Sequence, residues 1–364
     1  MKILAMSAWK RLAAACCAVL LLCHSTAVAQ TPTPVEPVAA ILAAFKSHSL
    51  VAMSDAHGNE QNHAFRLSLI RDPRFPAVVN DIVLELGNAF YQDLADRYVG
   101  GDEVPYSQLR QIWENTVVQT GGNNYLMIEE LLRVVRDVNS KLPRDRQMRV
   151  LLGDPPIDWN RVRTKEDWSP FFELRESYPA ALIQIEVIAK QRRALVLYGH
   201  LHFQRKNIFS NFAMDYWQAQ TLVNLIETAT PTKVFTIWQL DLEKAPVDAT
   251  KWPVPSLVTI RGTELGRTDV AVFRTPPGRF TIQGGKMIPV PKDQWRSLQA
   301  EEQFDAILYL GPASTMKNRQ SHEIPPALCA EPGYLTRQLQ RMALSAPPPE
   351  IERLKQYCAN VSTR

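Results

Sequence analysis

Five short stretches, residues 50–54, 82–86, 149–152, 194–198 and 234–240, are apolar almost throughout and rich in Val, Ile and Leu, and longer segments with helical spacing separate them. Continuous rather than alternating apolar runs fit strands buried on both faces, the condition of a parallel sheet with crossover helices. Residues 126–135 and 177–191 carry apolar side chains at helical spacing with charges on the other face, as amphipathic helices do. Beyond residue 241 the pattern loosens: Pro253, Pro255, Pro276, Pro277 and the Gly284-Gly285 pair punctuate shorter runs. Two of these, 270–273 and 306–310, read as further strands. From Pro325 the chain is Pro-rich, with helices expected around 335–344 and 350–357. The expected fold is therefore α/β: an open, mainly parallel sheet with helices on both faces, plus a small helical C-terminal extension. The domain expected to hold the sheet runs over 30–320 and the extension over 321–364.

The N-terminus does not belong to that pattern. Lys2, Lys10 and Arg11 flank or precede an apolar run at 12–22, and Ala27-Val28-Ala29 stands just before Gln30. These are the charged lead, short apolar stretch and small-residue cut site of a secretory signal over 1–29. The eleven apolar residues fall short of the roughly 20 a membrane-spanning helix needs. Cleavage and release to the periplasm or medium are expected, with no integral membrane segment left. Removing 1–29 takes three of the 41 basic residues and none of the 37 acidic ones, so the net charge falls from +4 to +1. That balance gives no electrostatic footprint for nucleic acid and leaves a small-molecule substrate as the expected partner. Three of the five cysteines leave as well, and Cys329 and Cys358 remain. In an oxidising compartment the two are expected to form one disulfide across the extension.

Chemistry-bearing residues collect where the expected strands stop. Asp55, His57 and Gly58 follow the first, Glu85 and Gly87 close the second, Gly153-Asp154 closes the third, and Gly199-His200-Leu201-His202 closes the fourth. Ligands of an open parallel sheet bind outside the carboxyl ends of its strands, so these groups are expected to converge. Asp154, before Pro155-Pro156, also suits a helix cap. Glu85, between Leu84 and Leu86, does not, because a carboxylate inside an apolar strand must be paired or pKa-shifted. His63 reads as a surface or capping residue of the next helix. Tyr91, Trp113, Tyr125, Trp159, Trp168 and Trp217 lie between strands and suit either core or pocket lining.

The order apolar strand, His-Gly, Arg, apolar strand with Glu resembles the erythromycin-esterase-like branch of the superfamily that also holds ChaN-like haem-uptake and TraB-type proteins. In that branch an Arg follows the first His by nine positions and a Glu by about twenty-eight. His57, Arg66 and Glu85 fall at those spacings. His200 and His202 stand near the family's later histidines, and the resemblance extends over about residues 48–312. Ser54 occupies the place where the family usually carries Glu, with Asp55 the nearest acid.

The resemblance implies a metal-independent hydrolase of ester-type bonds. His57 or Glu85 would take a proton from water, Arg66 and a protonated His would stabilise oxyanion charge, and His200 would join the catalytic set, with Asp55, Asp154 and His202 binding substrate. No Gly-x-Ser-x-Gly elbow occurs, so a serine nucleophile of that kind is unsupported. This reading needs no cofactor. Two alternatives do. Asp55-x-His57, Gly153-Asp154 and Gly199-His200-x-His202 match pieces of a metallophosphoesterase signature that would hold divalent metals, although its central Gly-Asn-His-Asp/Glu element is missing. Tyr198, His200 or His202 would ligate haem in a non-catalytic ChaN-like protein. A purely structural pair of histidines is the remaining reading, since alternate residues at a strand end point to opposite faces.

Overall fold

The computed structural model describes residues 29–118, 125–206, 220–273, 280–283, 286–289, 297–318, 324–346 and 348–362. The expected signal segment, apart from Ala29, lies outside the described residues, as does Trp217. Nine strands are described: β1 (Leu50–Ser54), β2 (Asp81–Asn88), β3 (Arg149–Asp154), β4 (Ala194–Tyr198), β5 (Val234–Trp238), β6 (Ser256–Thr259), β7 (Phe280–Gln283), β8 (Lys286–Pro289) and β9 (Ala306–Tyr309). Seven form one sheet in the order β3-β2-β4-β1-β5-β9-β6, while β7 and β8 pair separately. Only β6, at the edge, runs antiparallel to its neighbour in the large sheet. The α/β fold with a mainly parallel sheet is thus as expected.

The helices of five or more described α-helical residues are α1 (Pro37–Ala44), α2 (Glu60–Arg71), α3 (Gln92–Val99), α4 (Tyr125–Asn139), α5 (Lys165–Glu173), α6 (Ser177–Ile183), α7 (Leu222–Ala229), α8 (Pro326–Ala330), α9 (Tyr334–Ser345) and α10 (Pro348–Ser362). They cover both sheet faces. Every residue of β1 is buried, and its side chains alternate: Val51 and Met53 join one core cluster, Leu50 and Ala52 the other. A strand buried on both sides needs no polar face, which is why its sequence reads as an unbroken apolar run.

The expected strand at 270–273 is instead a 3-10 turn. The Asp269 side chain accepts the Ala271 N–H at 2.8 Å and its carbonyl accepts the Val272 N–H at 2.9 Å. That turn buries Val270 and Phe273, three apart, so four apolar residues serve a turn as well as a strand. β6 was hidden by the prolines around it. In the C-terminal helical region α8, α9 and α10 enclose a cluster of their own, including Ile324, Leu328, Tyr334, Met342 and Leu354. Cys329 and Cys358 are bonded there, with Cα atoms 5.2 Å apart.

Candidate functional site

The site forms at the carboxyl edge of three adjacent strands, β2, β4 and β1. Pairing of β2 with β4 ends at Leu84 opposite Leu197, and β2 slips against β3 between Leu84 and Asn88. Glu85 is the first residue past that break. The Gly199 N–H, left without a strand partner there, donates instead to Glu85 Oε2 at 2.6 Å. Arg175 Nη2 donates to Oε1 at 3.0 Å, His202 Nε2 lies 3.2 Å from the same oxygen, and His57 Nε2 lies 3.5 Å from Oε2. With 5% of its surface exposed, Glu85 has exchanged water for four donors. Burial pushes its pKa up, but His202 and His57 outweigh that and hold it well below the usual carboxylate range.

His57 is carried by the loop leaving β1. The Asp55 N–H donates to the Tyr198 carbonyl at 2.7 Å, tying the loop's start to β4. Gly58 follows at φ 81°, a backbone region open to glycine at little cost, and Asn59 then caps α2 by accepting the Asn62 N–H at 2.8 Å. The imidazole that this turn projects lies between two carboxylates, with Nδ1 3.5 Å from Asp55 Oδ2 as well as Nε2 near Glu85. It keeps 38% of its side-chain surface open, the most accessible of the titrating groups in this cluster. Desolvation opposes its charge, yet Glu85 and Asp55 raise its pKa to about 10. At neutral pH it is an imidazolium.

The charges alternate on both sides of that pair. Arg66, on the inner face of α2 and 4% exposed, places Nη1 2.7 Å from Asp55 Oδ2. Burial pushes the Asp55 pKa up, but Arg66 and His57 carry it far below normal. Arg66 Nη2 also meets His63 Nδ1 at 3.2 Å, and His63 Nε2 meets Glu130 Oε2 at 2.7 Å. Nδ1 therefore accepts and Nε2 carries the proton. The expected surface or capping role of His63 is corrected: it is 3% exposed and linked to α4 through Glu130. On the other side, His202 presents Nε2 to Glu85 and Nδ1 to Glu176 Oε1 at 2.6 Å. Flanked by these two carboxylates, the imidazole has its pKa raised to about 9 by Glu176 and Glu85 against the cost of burial. Glu176 also accepts the Leu222 N–H at the start of α7, at 2.7 Å.

Asp154 ends β3 beside this array and accepts the Val117 N–H at 2.6 Å. Burial pushes its pKa up to about 7, with Arg175 opposing. The Tyr198 hydroxyl, 1% exposed, has no hydrogen-bond partner among the described residues. It stands over Gly153, where an added Cβ would come within 1.8 Å of it; only glycine leaves the phenol its place. His200, one residue into the 3-10 turn His200–Phe203, faces the other way, its ring 5.2 Å from that of Trp238. The turn thus sends His202 to Glu85 and His200 to the end of β5. Ser54, at the end of β1, accepts the Gln239 N–H at 2.7 Å.

Of the residues expected from sequence, Asp55, His57, Arg66, Glu85 and His202 form one contiguous set, Asp154 adjoins it, and His200 turns away. Arg66 is engaged with Asp55 and His63 rather than opening toward a substrate. Arg175 and Glu176 were not anticipated. They sit in a charged stretch, Glu173-Leu174-Arg175-Glu176, that reads as solvated helix surface. Among the described residues no group of three or more His, Cys, Asp or Glu side chains is arranged to hold a metal ion. Of the haem-ligand candidates, Tyr198 and His202 are buried.

No family model matches the chain, and no curated protein does either. Among solved structures it is similar to a succinoglycan biosynthesis protein, at 10% identity and a TM-score of 0.50 over 78% of this chain and 94% of that one. That likeness shows the fold alone. A Bacillus cereus protein scores 0.46 at 12% identity over 80% and 97% of the two chains. ChaN of Campylobacter jejuni, described for cofacial heme binding, scores 0.35 at 9% identity over 59% and 88%. Scores at those two levels support no argument about this chain. The resemblance over His57–Glu85 rests on the sequence spacing.

Proposed function

We propose that the mature chain is an exported, metal-independent hydrolase that cleaves an ester-type bond of a small-molecule substrate at the His57–Glu85 pair. One observation carries the reading: an accessible imidazole lies 3.5 Å from a carboxylate that Gly199, Arg175 and His202 hold from behind. Such a pair can do both proton transfers of hydrolysis. As water attacks the carbonyl carbon, Glu85 accepts its proton while His57 delivers its own to the departing alkoxide. Glu85 is a weak base while the imidazolium stands beside it. Once His57 gives its proton away that restraint is gone, and Glu85 becomes more basic as the reaction proceeds. Passing the proton from Glu85 to His57 restores the resting pair.

Asp55 and Arg66 orient His57 from one side, and Glu176 fixes His202 from the other. Asp154 and Tyr198 stand at the inner end beside Arg175. Export is supported by the leader pattern at 1–29; the fold engages the chain from Gln30, whose N–H donates to the Gly262 carbonyl at 3.0 Å. No described helix is long and apolar enough to cross a membrane. The test is a panel of aryl esters and aryl phosphates assayed with purified mature protein and its Glu85→Gln variant. Turnover of esters that falls about 10²–10⁴-fold in the variant, the usual contribution of a positioned base, supports the reading. Unchanged ester turnover in Glu85→Gln removes it. Turnover of phosphates alone moves the protein to the phosphoesterase class.

A further inference from the structure

The long helix of the C-terminal region has two faces. Tyr334, Gln338 and Met342 of α9, four residues apart, are buried, Tyr334 and Met342 in the cluster that α9 forms with α8 and α10. Arg337, Gln340, Arg341 and Leu344 lie at the complementary helical positions and line a groove of 540 Å³ whose other wall includes Trp159 and Arg163 from the segment after β3. That size matches a small-molecule site. Three arginines border the groove, and no acidic side chain lines it among the described residues.

The guanidinium groups are anchored. Arg163 Nη1 donates to the Trp159 and Val162 carbonyls at 3.3 and 3.1 Å. Arg341 donates through Nη1 to the Asn115 side chain, and its guanidinium carbon sits 5.6 Å over the Trp159 ring. Arg337 pairs through Nη2 with the Glu331 carboxylate at 3.0 Å and donates through Nη1 to the Pro332 carbonyl at 3.4 Å, both outside the lining. Arginine has five N–H donors in a fixed fork, so Arg163, anchored through Nη1, and Arg337, with one bond from each terminal nitrogen, retain donors for a ligand. Carboxylates and phosphates are the groups that such forks recognise bidentately. Leu344 and the ring of Trp159, part of the apolar cluster below, supply a surface for the rest of a ligand.

We infer that this groove between α9 and the Trp159–Arg163 segment is a binding site for an oxyanion-bearing small molecule of about sugar size. The inference is independent of the hydrolase reading, because it concerns binding and uses none of the residues around Glu85. Titration calorimetry on the mature protein with glucuronate, glucose 6-phosphate, inorganic phosphate and glucose tests it. One or more of the three anions should bind saturably, neutral glucose should not, and affinity should fall with added salt. Arg163→Gln combined with Arg337→Gln, both at exposed positions, should weaken binding about tenfold or more with an unchanged melting temperature as the check on folding. Tighter binding of the sugar acids assigns the site to a sugar acid, and equal binding of phosphate assigns it to the bare anion. Absence of saturable binding by all three anions up to about 10 mM, or unchanged affinity in the double variant, overturns the proposal.

Discussion

Replacing Glu85 by Gln changes one oxygen to an amide and removes one charge, and its effect on stability follows from what surrounds it. Four donors face the carboxylate, at 2.6 Å from Gly199, 3.0 Å from Arg175, 3.2 Å from His202 and 3.5 Å from His57. The amide's NH2 must turn toward two of them. Removing one member of a buried ion pair costs about 3–5 kcal/mol because the partner is left uncompensated. His57 at 38% exposure and Arg175 at 19% keep water within reach, and His202 retains Glu176 at 2.6 Å. The lower end, about 3 kcal/mol, is therefore expected, and a domain stable by about 5–15 kcal/mol still folds. The penalty must also depend on pH. Glu85 has its folded pKa depressed, so its contribution is present above the unfolded carboxylate pKa. His202 has its folded pKa raised to about 9, so its contribution is full below the unfolded value near 6.5 and is lost as pH rises through about 9. The difference between wild type and variant should be flat from about pH 5 to 6.5 and then shrink by at most about 1.4 kcal/mol per pH unit for each proton involved. Urea unfolding of both proteins at half-unit steps from pH 5 to 9.5 measures this. A difference under about 1 kcal/mol at pH 6, or one that does not change with pH, refutes the charge array as drawn.

Gly153→Ala should destabilise by at least about 1–3 kcal/mol through overpacking, since the new methyl would meet the Tyr198 hydroxyl at 1.8 Å and the Leu84 carbonyl at 2.9 Å; a double-mutant cycle with Tyr198→Phe should recover part of the loss, and full additivity would deny the contact. Asp154→Asn should become more favourable relative to wild type as pH rises. The folded pKa of Asp154, about 7, lies above its unfolded value near 3.8, so the wild-type contribution is full below the latter and lost as pH rises through the former; melting curves at pH 5 and pH 8 read the sign. Replacing Cys329 and Cys358 by Ser opens a loop with 29 residues of separation and should cost about 3–4 kcal/mol in the chain-entropy description, measured as a shifted urea midpoint of the C-terminal region.

The strands and their ends were legible because a buried parallel strand leaves an unbroken apolar run and because its first polar residues sit at the sheet edge, where sites form. Glu85 announced itself by standing inside such a run. Arg66 and His63 were harder to place. α2 turns Asn62, His63 and Arg66 inward alongside Phe65, Leu69 and Ile70, so the polar inner face defeats a periodicity argument that assumes an apolar one. Arg175 and Glu176 were hidden because their partners, Glu85 and His202, are distant in sequence, and a pair of adjacent charges ordinarily marks solvent. His200 and His202 looked alike on paper. The 3-10 turn that contains them decides which one meets Glu85, and no residue in Gly199-His200-Leu201-His202 encodes that turn uniquely.

The most direct test of the central claim is ester turnover by wild type and His57→Asn, each with and without chelator. His57 is the accessible member of the pair, so its replacement disturbs the fold least while removing the proton donor. The account predicts wild-type turnover that is the same in chelator, and a loss of about 10²–10⁴-fold in His57→Asn under both conditions. Undiminished turnover in His57→Asn, or wild-type activity that vanishes in chelator and returns with added divalent metal, would contradict it.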